Sequence, residues 1–430
     1  MCKSKILYVF YIASLCLFCK SSCVTKCDTK CCENDSSVKL FQEFVKIDTS
    51  GGKNLDQSVR FLERQAVNLG LPFFVYYPDG KPVCVMSWFG TNNSLPSIML
   101  NSHADVVPVE EKFWTHPPFS AHIDENCNIH GRGTQDTKSV TIQYIEAIRR
   151  LIQSNVTLQR TIYVTVMPDE ETGGFHGIKP FVKTKEFDSF NVGFVLDEGL
   201  TSSDDVFYVS YQDRRAWQMN FTVFGEGGHG SRMPNSSAME KIYKLFTIIL
   251  KFRDEQNVLK KLQDPLHFGK YTSININMIT GGLAPNIIPS EVSMVVDMRL
   301  AVDADITAVQ AVVESWRAAA GNDTLLEFIR RDVSSPATPL QPNPYWQAML
   351  QTAKDIGITL KPMVIPATSD MLVLRDMGIP ALGFAPKVRT TPLLHANNEY
   401  LNVDVFLEGI DIYVAMLKSL GNLQDVTQRN

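Results

Sequence analysis

Ser97-Ile98-Met99-Leu100-Asn101-Ser102-His103-Ala104-Asp105 is a short apolar run that closes on a histidine and, two residues later, a carboxylate. Residues 98–101 read as a buried strand, because a brief apolar stretch bounded by polar residues has no helical period. His103 and Asp105 then stand just past its carboxyl end. The same arrangement returns along the chain at Asp136, after Gly131-Arg132-Gly133-Thr134-Gln135, and at Glu170-Glu171, after Met167-Pro168-Asp169. It returns again at Glu198, after Leu196-Asp197, and at His395, after Leu393-Leu394. Acidic side chains gathered at strand ends call for something positive between them. Two imidazoles and several carboxylates, with no thiolate among them, suit a pair of zinc ions. These residues point to a metallohydrolase.

Outward from that strand the chain alternates. Residues 37–45 and 57–69 read as amphipathic helices, the second with Val59, Leu62, Ala66 and Leu69 on one face. Residues 73–77 and 83–88 read as strands. A helix over 137–152 buries Val140, Tyr144, Ala147, Ile148 and Leu151. Strands at 161–166 and 192–196 follow, with a helix near 179–185 between them. Such alternation predicts an α/β catalytic domain on a mostly parallel sheet, whose ligands gather beyond the carboxyl ends of its strands. After about residue 211 the pattern changes. Strands at 216–224, 273–278 and 291–300 alternate polar with apolar, and helices fall at 240–252 and 307–320. This β-α-β-β-α-β order predicts an inserted α+β domain of ferredoxin-like form. Past Phe328 the α/β style resumes, with a helix at 345–356, a strand at 380–384 and a helix at 405–420. The expected organisation is a signal peptide at 1–22, a Cys-rich linker at 23–36, a catalytic domain in two parts at 37–211 and 329–430, and the insert at 212–328.

Bulk properties narrow the classes. A chain of 430 residues exceeds one small domain, and a net charge of -5 without a basic stripe argues against nucleic acid as a partner. Lys3 and Lys5 precede an apolar stretch at residues 6–18, followed by Ser21 and Ser22, which is the layout of a secretory signal peptide. An uncleaved signal anchor is the alternative. No apolar run long enough to span a membrane occurs beyond this segment. Sequons at Asn34, Asn92, Asn155, Asn220, Asn235 and Asn322 are glycan sites if the chain is secreted. Cys2, Cys16, Cys19, Cys23, Cys27, Cys31 and Cys32 crowd the start, and only Cys84 and Cys127 lie in the body. The cluster fits a disulfide knot, an intermolecular tether or acylation sites, and a Cys84–Cys127 pair is open.

Each acidic or histidine site has an ordinary reading alone: a hydrogen-bonded core histidine, a turn aspartate, a solvated helix start. Five such sites at strand or turn ends are explained together by metal. At this point the chain resembles a family, the co-catalytic di-zinc amidohydrolases and metallopeptidases that include aminoacylases, acetylornithine deacetylases and glutamate carboxypeptidases. The strings that carry it are His103-Ala104-Asp105-Val106-Val107-Pro108-Val109, Gly131 to Lys138, Pro168 to Gly174, Leu196 to Gly199, Gly228-His229-Gly230-Ser231, Asn286-Ile287-Ile288-Pro289 and Pro380 to Phe384. They run in order from about Val38 to Met416.

The resemblance implies roles. His103, Asp136 and Glu198 hold one zinc ion; Asp136, Glu171 and His395 hold the other; Asp136 bridges ions roughly 3.5–4 Å apart. Asp105 hydrogen-bonds the His103 ring. Glu170 is the general base for a metal-bridging hydroxide, free to cycle a proton because it binds neither ion. His229 reaches the neighbouring subunit's site and stabilises an oxyanion, which implies a homodimer built on the insert as dimerisation and lid domain. Arg299 and Asn286 bind the substrate carboxylate. Without the resemblance, His229 reads as a surface histidine and Arg299 as a strand-end ion pair.

The implied reaction is hydrolysis of an N-acyl-L-amino acid to a carboxylate and a free amino acid. Exopeptidase action on short peptides uses the same machinery and is the alternative. A catalytically silent binding protein on the same fold is a third, disfavoured by the presence of Glu170. Departures from the family pattern are Ala104 where threonine is usual, Met371-Leu372 after Asp370, and Asn397-Asn398 after His395. They leave both metal shells intact and bear on the substrate pocket.

Overall fold

Residues 30–263 and 268–424 are described by the computed structural model. The expected signal peptide and most of the Cys-rich segment lie outside the described residues. Eight strands form one sheet in the order Phe73–Tyr76, Val83–Trp88, Ile162–Met167, Ser97–His103, Val192–Asp197, Ala381–Phe384, Val206–Asp213, Thr359–Ile365. The centre is parallel: Ser97–His103 pairs in parallel with Ile162–Met167 and with Val192–Asp197, which pairs in parallel with Ala381–Phe384. Antiparallel pairs enter at the Phe73–Tyr76 side and between Ala381–Phe384 and Val206–Asp213. The α/β expectation is therefore met, with a mixed margin around a parallel core.

Alternate side chains on these strands serve opposite faces. Val83, Val85, Met99 and Val195 pack with Phe181, Phe187 and Leu374 from the short helices Ile178–Phe181, Lys185–Ser189 and Met371–Asp376. Cys84, Met86, Ile98, Leu100, Phe194 and Leu196 pack with residues of the helices Lys138–Gln153 and Val403–Gly421. With both faces covered, the strands are apolar throughout rather than alternating. The three adjacent parallel strands ending at Met167, His103 and Asp197 deliver Glu170-Glu171, His103 and Glu198 to one edge of the sheet.

The insert is a four-stranded antiparallel sheet ordered Ser273–Gly281, Glu291–Leu300, Arg215–Phe224, Leu325–Arg331, with helices Ala238–Lys261 and Ile306–Ala320. Met219, Phe221, Val223, Met294, Val296 and Met298 form its core against those helices. The intervening residues Gln218, Asp297 and Arg299 point the other way, as period 2 requires, and a register shift after Phe328 turns Arg330 to the same side. Ser237 and Glu240 close a capping box at the start of the long helix. The chain enters the insert at Asp213–Arg215 and leaves it after Arg331. The entry is bolted down: Asp213 takes a buried ion pair from Arg375 at 2.5 Å and accepts hydrogen bonds from the Ser369 amide and hydroxyl.

Elements not anticipated from sequence include the strands Val206–Asp213 and Thr359–Ile365 and the helix Met371–Asp376. Pro362 masks the second strand, yet that strand sits at the sheet edge, where a missing N–H costs little. A further three-stranded sheet, Tyr400–Asn402, Asn128–His130 and His122–Ile123, joins distant parts of the chain.

The cysteine readings need correction. Cys127 bonds Cys31, not Cys84, across 96 residues of sequence. Cys84 is a buried free thiol because its strand turns it into the helix-packed core. The segment from Lys30 is accordingly tied to the body and runs straight into the helix Ser36–Val45, so it is not a free linker. Among the described residues no helix is long and apolar enough to cross a membrane.

Candidate metal centre

Five loops at the carboxyl edge of the large sheet bring their donors together. His103 Nε2 lies 3.2 Å from Asp136 Oδ1 and 3.3 Å from Glu198 Oε2. His395 Nε2 lies 3.2 Å from Asp136 Oδ2 and 3.0 Å from Glu171 Oε2. Asp136 thus turns one oxygen to each histidine, and two donor groups share it. Glu170 Oε2 stands 3.9 Å from His103 Nε2 and joins neither group's closest contacts. Among the described residues, two carboxylate–imidazole trios here, His103-Glu170-Glu198 and His103-Asp136-Glu171, have ligand atoms within 4.8 Å of one another.

The electrostatics follow from burial and crowding. Burial opposes a charge on His103, but the Glu198 carboxylate and hydrogen bonds with Asp105, Asp136 and Glu198 outweigh it and hold the ring well above the usual imidazole range. Burial likewise opposes ionisation of Asp136, and the His103 and His395 hydrogen bonds overcome it. Glu171 is pushed up to about 7 by burial and the Asp136 charge, and Glu170 is pushed up by burial and the Glu198 charge. Glu171 Oε1 is buried without a hydrogen-bond partner. That orphaned oxygen, and carboxylates outnumbering imidazoles in a buried pocket, fit divalent cations as the missing counter-charge.

The surrounding loops are held by the chain itself. His103 Nδ1 lies 2.8 Å from the carbonyl oxygen of Asp105 and 3.6 Å from its carboxylate. The main-chain oxygen is the nearer partner, and the Asp105 carboxylate beside it also accepts the amides of Glu170 and Glu171, both at 3.2 Å. Glu399, fully buried, does the same for the Asp136 loop. It accepts the amides of Gly133, Gln135 and Asp136 and pairs with Arg132 at 2.7 Å. His395 holds a left-handed backbone, φ 62°, strain that a non-glycine residue keeps only where its surroundings enforce it. Glu399 and Lys387, whose ammonium is buried against the Gln135 carbonyl, were missed by sequence reasoning. A lone Glu or Lys on a loop carries no local signal of burial.

A cleft of about 460 Å³ opens above the cluster. Its floor is Asp136, Glu170, Glu171, Glu198 and His395; its roof is the polar face of the four-stranded sheet, with Gln218, Ser273, Asn275, Asp297, Arg299 and Arg330. Arg299 lines the cleft as expected, but its fork is engaged: Nε and Nη2 donate to Asp297 at 2.8 and 3.1 Å. His229 and Asn286 lie elsewhere. They share the outer tip of the insert, where Gly228–His229 pairs with Ile287–Ile288 and Gly230 donates to the Asn286 carbonyl at 2.7 Å. His229 is exposed and bonds only Ser231 nearby. Within one chain, neither reaches the cluster.

Residues 99–419 match the model of Peptidase family M20/M25/M40. The chain is 41% identical over 396 residues to aminoacylase-1 of Homo sapiens, covering 91% of this chain and 97% of that one. Among solved structures, the di-peptidase Dug1p of Saccharomyces cerevisiae superposes with a TM-score of 0.76 at 15% identity, covering 90% of this chain and 96% of that one. The YXEP protein of Bacillus subtilis, described as a dinuclear metal binding peptidase, superposes at 0.59 and 14% identity, covering 89% and 96%. The fold and the donor cluster define a metal-dependent amidohydrolase. The chain belongs to Peptidase family M20/M25/M40, and the relatives it resembles across nearly its whole length include aminoacylases.

Proposed function

We propose that this chain hydrolyses the amide bond of N-acyl-L-amino acids, using two zinc ions, and releases a carboxylate and the free amino acid. One observation carries the reading: Asp136 Oδ1 faces His103 and Oδ2 faces His395, while Glu170 stands beside them, 3.9 Å from His103 and farther from it than Asp136 or Glu198. His103, Asp136 and Glu198 would hold one ion, and Asp136, Glu171 and His395 the other. When bound, the ions supply Lewis acidity toward the amide carbonyl and toward water. Glu170 takes the proton of the attacking water and passes it to the departing amine. Burial and the Glu198 charge raise its pKa, the direction that favours accepting a proton. Asp105 fixes the Glu170–Glu171 turn so that the two neighbouring carboxylates keep separate tasks.

The test is Glu170→Gln. Turnover of N-acetyl-L-methionine should fall by about 10²–10⁴-fold, with two zinc ions per chain retained by elemental analysis. Hydrolysis at the unmodified rate would refute the assignment. Dipeptides in the same assay decide the exopeptidase alternative, which the fold of Dug1p keeps in view.

Two further readings accompany this one. The chain acts as a homodimer: His229 is remote from its own cluster, and the insert exposes Tyr243, Leu250, Val258 and Leu262 on its long helix and Met278 and Ile279 on its edge strand. Such an apolar face on a sheet edge suits pairing with another copy; a monomer by light scattering at working concentration would refute it. The chain also passes through the secretory pathway. The Cys31–Cys127 bond suits an oxidising compartment, and the sequons at Asn34, Asn92, Asn155, Asn235 and Asn322 are exposed, whereas Asn220 is half-buried in a strand. Secretion with glycans from an expressing cell would support this; retention in the cytosol would refute it.

A further inference from the structure

Three arginines line the cleft, and they are not in the same state. Arg214 spends its guanidinium on the Pro366 and Tyr271 carbonyls and the Ser273 hydroxyl. Arg299 gives both arms of a fork to Asp297 and its third nitrogen to Thr368. Arg330 is anchored at Nε, to Asp332 at 2.9 Å, and among the described residues neither of its terminal nitrogens donates to a protein acceptor. Yet the residue is 9% exposed, so its charge is held in place within the cleft wall rather than trailing in solvent. Asp332 is fixed in turn, accepting the Ala216 amide at 3.1 Å. A guanidinium anchored at one edge, with the opposite edge uncommitted, is preorganised for a carboxylate.

Position strengthens the point. A β-carbon on Gly173 would stand 3.1 Å from Arg330 Nη1, which sets the guanidinium against the turn that carries Glu170 and Glu171. In the roof, Arg330 is in register with Gln218, and Gln218 with Asp297, two residues from Arg299 on the same face. Arg330 and Arg299 therefore rise from strands two apart, about 10 Å at the backbone. Every N-acyl-amino acid needs one carboxylate anchor. Arg299 faces the cleft with its charge met by Asp297, and Arg330 adds a second cation on that face whose outer edge is still open.

We infer that Arg330 is a specificity residue that binds a second carboxylate, so that N-acyl derivatives of acidic amino acids, aspartate and glutamate, are the preferred substrates. The inference rests on the N-acyl-amino-acid reading above. It adds the side-chain class, which the metal cluster by itself leaves open. An acidic side chain gains a charge-assisted pair with the Arg330 fork that a neutral side chain of the same size cannot make, and that gain is what discriminates.

N-acetyl-L-glutamate and its neutral isostere N-acetyl-L-glutamine separate the outcomes, with N-acetyl-L-methionine as a reference, on the zinc-loaded full chain. The unmodified enzyme should prefer glutamate over glutamine in kcat/KM by at least about 10-fold. Arg330→Gln should lower kcat/KM for the glutamate substrate by on the order of 100-fold while the methionine substrate stays within about three-fold. Arg330→Lys, which keeps a cation for Asp332 but loses the fork, should erode the same preference and guards against a folding defect in the glutamine variant. A wild-type ratio of one or below overturns the inference, as does a ratio that Arg330→Gln leaves unchanged. Hydrolysis of the methionine and glutamine substrates without preference for glutamate defeats only this inference. Hydrolysis of none of the three defeats the parent reading as well.

Discussion

The floor and the roof of the cleft are built by different rules. On the floor, His103, Glu170, Glu171 and Glu198 follow directly from three adjacent strand ends, and buried carboxylates lock the loops between them: Asp105 on the Glu170 turn, Glu399 on the Asp136 loop. On the roof, Gln218, Asp297, Arg299 and Arg330 lie on the open face of a sheet whose other face is the core, and His229 hangs at its outer tip. The floor is complete within one chain. The roof's histidine, by contrast, does not reach the donor cluster within one chain. The difference teaches that metal donors demand fixed geometry, whereas groups that meet substrate are free to sit on an element that moves or on a second copy.

That contrast has a largest consequence on the floor. Asp136→Ala removes the one carboxylate both donor groups share, so both ions should weaken together and turnover should fall by at least about 1,000-fold. Elemental analysis distinguishes this from a loss of one ion, which would show that the two groups are independent. Next comes the roof. His229→Ala should lower kcat by about 10²–10³-fold while metal content stays intact. Mixed dimers of His229→Ala with Glu170→Gln chains should regain activity, each dimer holding one unaltered site. A verified mixed dimer without rescue would place His229 outside catalysis. The smallest effect is second-hand. Glu399→Gln leaves Arg132 buried without its charge partner and should cost about 3 kcal/mol of stability, read as a lower Tm. Turnover should drop only about 10-fold, through looser seating of Asp136. If turnover falls as far as in Asp136→Ala, the floor is less rigid than its hydrogen bonds suggest.

Much of this was legible beforehand because period and position carry it. The strand over residues 98–101 and the alternation in 291–300 are physical signatures of burial on two faces and on one face; the helix over 137–152 showed an apolar stripe, although residues 138–148 are buried all round. His103, Asp136, Glu170, Glu171, Glu198 and His395 announced themselves as polar residues where apolar runs stop, and the structure brings all six together. The strand Thr359–Ile365 escaped because Pro362 and its exposed alternate positions imitate a loop. The partner of Cys127 stayed open because sequence separation says nothing about which faces meet, and the fold gives it Cys31.

By itself the sequence determined the elements, the α/β body with its insert, and the chemical identity of the donors, since hydrophobic period and residue type are local properties. Tertiary structure alone decided the rest. It set the split of Asp136 between two histidines, the capture of the Asp105 carboxylate by two amides, and the burial of Glu399 with Arg132. It also decided which of three arginines keeps a free edge toward the cleft. Those outcomes depend on which partners arrive from far along the chain, and a hydrogen bond or ion pair over hundreds of residues leaves no mark on the local pattern.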